Sequence, residues 1–138
     1  MPRFPRICPA NVVHHVVNRA NDRQRLFFDS ADYEDFVALL RQAQQRIDMR
    51  ICAYVVMPNH WHLVLWPRTD DCISSFMHWL TAVHGMRTRR RSETVGCGHV
   101  YQDRFRAFPV ESGSYYWNVV RYVEANPLRA RLVPDARD

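Results

Sequence analysis

Apolar residues recur along this chain in two rhythms, and the switches between them mark its elements. Asn11 to Asn18 (NVVHHVVN) is a compact β-branched run that predicts a first strand. Arg19 to Arg25 is polar and reads as a loop. After Ser30, a candidate cap, Phe36, Leu39, Leu40, Ala43 and Ile47 recur at three and four residues. That spacing predicts a helix reaching about Arg46. Ile51 to Val56 predicts a second strand, Pro58-Asn59 a turn, and His60 to Trp66 a third strand. Side chains two apart on a strand share a face. His60, His62, Val64 and Trp66 therefore point one way, and Trp61, Leu63 and Leu65 the other. Ile73, Phe76, Met77, Leu80 and Val83 form the buried stripe of a second helix. Asp70-Asp71 open it, acidic at the end where the helix dipole is positive.

Arg87 to Arg91 reads as a basic connector, and Gly96 to Gly98 breaks the chain. His99 to Val110 alternates well enough for a fourth strand or an extended arm. Ser112 or Ser114 can cap a third helix, roughly Tyr115 to Ala125, and Pro127 disfavours helical geometry at Asn126. The order strand, helix, strand, strand, helix, strand, helix predicts an α+β fold of the ferredoxin-like, split β-α-β kind. Its sheet would be four-stranded and antiparallel, with helices on one face and the third helix appended.

Length and composition narrow the class. The 138 residues make one domain, 1–138, with a loose tail from about 134. Hydrophobic residues at 47% and charged residues at 24% are globular values, which excludes general disorder. No apolar run approaches the ~20 residues of a membrane span, and the start lacks the apolar core of a secretory signal. Cys8, Cys52, Cys72 and Cys97 show no CxxC spacing and read as free thiols. A cytoplasmic protein is expected.

Charge adds a partner. All nineteen basic residues are Arg, against fourteen acidic ones, for a net +5. The guanidinium fork matches phosphate oxygens and stacks on bases, so a nucleic acid is the expected partner, although a GC-rich genome produces the same bias. Arg87, Arg89, Arg90 and Arg91 form one cluster. Arg104 and Arg106 lie two apart on the extended arm with Phe105 between them, which suits a path of phosphates and stacked bases.

Two groups of residues suit chemistry. His60 and His62 project side by side from one strand face, which suits chelation of one divalent cation. Tyr122 and Asn126 are four apart and share a helix face, so a helix laid across the sheet could bring both to such a site. Tyr101, Tyr115 and Tyr116 are also available, and spacing alone does not choose among them.

Three segments together are more specific. They are Val56-Met57-Pro58-Asn59-His60-Trp61-His62-Leu63-Val64, Gly98-His99-Val100-Tyr101-Gln102-Asp103-Arg104-Phe105, and Arg121-Tyr122-Val123-Glu124-Ala125-Asn126-Pro127-Leu128-Arg129-Ala130. In order and approximate spacing they resemble the REP-associated tyrosine transposases. That family belongs to the single-tyrosine HUH superfamily and is related to the small insertion-sequence transposases. The resemblance runs from about Val12 to Val133. It implies a ferredoxin-like fold and metal-dependent cleavage and joining of single-stranded DNA at hairpins, the repetitive extragenic palindromes of bacterial genomes.

By the same resemblance His60, His62 and Asn126 are ligands of Mg²⁺ or Mn²⁺. Tyr122 is the nucleophile that forms a 5′-phosphotyrosine, and Arg129 joins the other arginines on DNA. A monomer is expected over a homodimer. The competing expectation is a catalytically silent module that only binds palindromes; a zinc site from His84, Cys97 and His99 matches no known spacing well.

Overall fold

The computed structural model describes residues 8–21, 24–92, 100–101, 104–110 and 117–122. Its elements run β1 (His14–Arg19), α1 (Ser30–Arg46), β2 (Met49–Met57), β3 (His60–Pro67), α2 (Cys72–Ser92) and β4 (Arg106–Pro109). The four strands form one sheet in the order β2-β3-β1-β4. Every neighbouring pair is antiparallel. This is the split β-α-β arrangement that the order of elements predicts, with β3 seated between β1 and β2.

Local chemistry moves several boundaries. The first strand begins at His14, later than expected, because Asn11 adopts φ 60°. Asn tolerates that left-handed region at little cost. Its N–H donates to the Pro67 carbonyl at 2.8 Å, so the residues before His14 lead into the strand. The cap of α1 is Asp29, and Ser30 is the first helical residue. The Asp29 carboxylate accepts the Asp32 N–H at 3.0 Å, and Asp32 reaches back to the Phe28 N–H at 2.9 Å. Charge-assisted bonds of this kind satisfy donors that the first helical turn leaves open.

The expected basic connector is absent: α2 continues through Arg87–Arg91 to Ser92. Arg is a good helix former, and positive charge suits a helix C-terminus. Two of these arginines also find acids on α1. Arg87 pairs with Asp35 at 2.7 Å, while Arg91 pairs with Asp32 at 2.8 Å and with Asp35 at 3.6 Å. Of the expected fourth strand or extended arm, among the described residues only Arg106–Pro109 pairs with β1 as a strand, and Tyr101 forms an isolated bridge to Ala20. Residues 117–122 are helical. The remainder of the expected third helix, the 134–138 tail, and the candidates Asn126, Arg129, Cys97 and His99 lie outside the described residues.

The main core lies between one sheet face and both helices. Val16, Trp61, Leu63 and Leu65 from the sheet pack with Phe36, Leu39, Leu40 and Ala43 of α1 and with Ile73, Phe76, Met77 and Leu80 of α2. The alternation of β3 is therefore the expected one, with Trp61, Leu63 and Leu65 facing the helices. Trp61 is fully buried, and its indole N–H donates to the Tyr101 hydroxyl at 3.1 Å. That hydroxyl lies 2.5 Å from His84 Nδ1. Burial raises the Tyr101 phenol above its ordinary range and keeps it protonated. The His84 ring also stacks on Phe27, with ring centroids 5.3 Å apart. Cys52 and Cys72 are free thiols. Among the described residues no helix is long and apolar enough to cross a membrane.

His84 gives this core a pH dependence. Burial, and then the nearby Arg91, push its imidazole down to about 4, against the opposing pull of Asp35 and Asp32. The unfolded chain takes up the same proton near pH 6.5. Stability from this group is therefore complete above about pH 6.5 and is lost as pH falls toward about 4, at up to ~1.4 kcal/mol per pH unit. Denaturant titrations across that range should find His84→Gln less steeply pH-dependent than wild type. Equal slopes would show that His84 takes up no extra proton on unfolding.

Candidate active site on the open sheet face

The sheet face away from the helices carries the candidate chemistry. Register brings its residues together: Val17 of β1 and Val55 of β2 flank His62, while Arg19 and Met57 flank His60. Ala53, Val55, Met57 and Val64 form a small apolar floor, which Val119 and Val120 of the 117–122 helical segment cover. Two residues beyond Val120 stands Tyr122, 43% exposed. Its ring meets the His62 ring edge-on, with centroids 6.4 Å apart. The HxH pair and Tyr122, 60 residues apart, thus share one site.

Each histidine has one ring nitrogen committed. His60 Nδ1 lies 2.8 Å from Asn59 Oδ1, which can only accept. His60 is therefore the Nδ1–H tautomer and keeps a lone pair on Nε2. His62 Nδ1 lies 2.9 Å from His15 Nε2. His62 Nε2 is buried and has no hydrogen-bond partner among the described residues. Burial is the largest cause that holds His62 down to about 3, with His15, His60 and Arg19 adding repulsion. Burial and then Arg19 lower His60, and burial lowers His15. The site therefore presents neutral imidazoles, the form that offers a lone pair to a metal.

The donor set fits a divalent cation in part. His60 and His62 bring two imidazoles to one face, with ring centroids 5.1 Å apart. Among the described residues no group of three or more His, Cys, Asp or Glu could hold a metal ion. Two imidazoles leave further coordination positions open to oxygen donors, such as water or a substrate phosphate.

The candidate arginines divide. Arg87 and Arg91 are engaged with α1. Arg89, Arg90 and Arg104 line a groove of about 760 Å³ beside α2, with Met77, Val100 and Phe105 among its apolar walls. Its Asn18 belongs to the helix-facing side of β1, so the groove opens on that side of the sheet. Arg106 is exposed on β4, in register with Val17 and so on the histidine face. Arg104 and Arg106 thus part company, because residue 104 precedes the strand and strand alternation does not govern it.

Two residues of this face escaped the sequence reading. Arg19, exposed and opposite His60, adds positive charge beside the imidazoles. His15 touches both His62 and Tyr122, the latter at 6.5 Å between ring centroids. The signal was present: alternation in NVVHHVVN separates His15 from the buried His14, and the predicted fold makes β1 the neighbour of β3.

Comparisons agree with this architecture. Residues 9–126 match the family described as transposase IS200 like. The fold is similar to the structure of a REP-associated tyrosine transposase bound to a REP hairpin. That similarity has a TM-score of 0.74 at 21% identity and covers 99% of this chain and 78% of that one. It is also similar to a candidate transposase from Deinococcus radiodurans R1, with a TM-score of 0.59 at 16% identity, over 90% of this chain and 94% of that one. No curated protein matches the sequence. With the family match running from β1 through the tyrosine-bearing segment, the chain belongs to the IS200-like transposases, a family of DNA-cutting and DNA-joining proteins.

Proposed function

We propose that this protein cuts and rejoins single-stranded DNA beside a hairpin of the repetitive extragenic palindrome kind, with Tyr122 as nucleophile and a divalent cation, Mg²⁺ or Mn²⁺, as cofactor. One observation carries the reading: the Tyr122 ring stands against the same buried imidazole whose Nε2 has no partner among the described residues. The hairpin is suggested by the structural relative, which is bound to one.

The residues have separable tasks. His60 and His62 would hold the cation through Nε2, with Asn126, four residues past Tyr122 in the sequence, as a third ligand. A bound cation would supply positive charge that offsets the charge building on the phosphate in the transition state. The Tyr122 oxygen attacks phosphorus in line as the phenol gives up its proton. The P–O3′ bond breaks, and the departing 3′ oxygen takes up a proton. The products are a 5′-phosphotyrosine and a free 3′-hydroxyl. Because the phosphodiester becomes another phosphodiester, the reverse attack by a 3′-hydroxyl rejoins the strand without ATP.

Arg19 and Arg106, on the histidine face, suit the scissile strand's phosphates. Arg89, Arg90 and Arg104 suit those of the hairpin stem. Replacing Arg104 or Arg106 with Ala should weaken hairpin binding. For every phosphate left without its arginine, the slope of log affinity against log salt should flatten by about 0.9 on duplex and 0.7 on single strand. Filter binding from low to moderate salt measures this, and an unchanged slope would remove that arginine from the DNA surface.

The reading as a whole is tested by incubating end-labelled hairpin DNA bearing a single-stranded flank with protein and Mn²⁺. Cleavage in the flank, leaving a 3′ end that a polymerase extends, supports it. Tight binding with no cleavage across a panel of palindromes would instead favour a silent binding module.

A further inference from the structure

We propose that His15 is a positioning residue, whose Nε2 accepts the proton on His62 Nδ1 and so keeps the His62 Nε2 lone pair turned toward the cation. This rests on the cation reading given above and adds a residue to it.

The two nitrogens are 2.9 Å apart, with ring centroids 5.1 Å apart and planes only 20° from parallel, so the rings meet nearly edge to edge as an in-plane hydrogen bond requires. One proton lies between them, and it has two possible owners. If His15 donated it, His62 would carry its own proton on Nε2. That N–H would be buried with no acceptor among the described residues, and no lone pair would remain for a metal. If His62 donates it, Nε2 is a bare lone pair, which a cation satisfies. The neighbouring histidine offers a parallel. His60 gives its Nδ1 proton to Asn59 Oδ1, so it already has the tautomer that frees Nε2. Asn59 for His60 and His15 for His62 then perform the same task.

The strands explain why a histidine can do this. Val17 lies directly opposite His62, and His15 is two residues along β1 on the same face. That diagonal is within reach of an aromatic ring. His15 also meets the edge of Tyr122, so one imidazole touches both a proposed ligand and the proposed nucleophile. Partners that fix the tautomer of a ligating histidine typically contribute 10- to 100-fold to metal affinity.

The test begins on the metal-free, ¹⁵N-labelled full chain. Two-bond ¹H–¹⁵N correlations, assigned by their loss in His62→Gln, report the His62 tautomer. The Nδ1–H form is expected, and the Nε2–H form overturns the proposal. Mn²⁺ affinity is then read by the electron-spin-resonance signal of free Mn²⁺. His15→Leu should bind about 10- to 100-fold more weakly. His15→Gln, whose Oε1 can accept the same proton, should recover most of that loss. Hairpin binding in EDTA should be unchanged in both, showing an intact fold. Wild-type affinity in His15→Leu, or a His15→Gln as poor as His15→Leu, overturns the role of His15. Failure of wild type to bind Mn²⁺ would instead defeat the cation reading, and the His62 tautomer would still decide the hydrogen bond.

Discussion

Tyr122→Phe should abolish covalent attachment to DNA while leaving hairpin affinity close to wild type. The substitution deletes one hydroxyl from a ring that is 43% exposed, so little packing is lost. The edge-on contact with His62 belongs to the ring and survives it. What disappears is the oxygen that bonds to phosphorus, and no other atom of the residue can replace it. The expected pattern is thus an all-or-none loss of adduct beside unaltered binding. Denaturing electrophoresis reads the first and a native gel the second. An adduct formed by Tyr122→Phe would move the nucleophile to another tyrosine.

His60→Ala and His62→Ala should each reduce Mn²⁺-dependent cleavage by about two to three orders of magnitude, because each loosens the hold on a cation whose contact with developing charge is worth about that much. EDTA should abolish cleavage by wild type. The two variants differ in their structural cost. His60 is partly exposed beside the turn, whereas His62 is buried between Val17 and Val55. His62→Ala therefore leaves a void and lowers stability as well, and hairpin binding in EDTA separates the two effects. Cleavage that persists in EDTA would remove the cation from the mechanism.

Much of this site was legible in the sequence, and for definite reasons. A period of two is unambiguous over HWHLVLW, so the opposed faces of Trp61 and His60/His62 followed at once. Helical stripes at three and four residues located α1 and the first turns of α2. Motifs near each other in sequence are read well by such rules, because the geometry is local.

The rest depends on partners distant in sequence. Arg87 and Arg91 look like a free basic run until α1 brings Asp32 and Asp35 against them. The turn before His14 depends on an Asn in the left-handed region bonded to Pro67. His15 and His62 are 47 residues apart, and their contact follows only once the register of β1 against β3 is known. Arg104 and Arg106 share a parity but not a face, since only one of them is in a strand. In each case the residue type was visible and its surroundings were not.

The most direct test of the central claim is one denaturing gel. Labelled single-stranded hairpin DNA is incubated with wild type and Tyr122→Phe, each in Mn²⁺ and in EDTA. A slow-migrating, protease-sensitive band is expected only for wild type in Mn²⁺. A band in EDTA, a band with Tyr122→Phe, or cleaved DNA with no covalent band in any lane would contradict the claim.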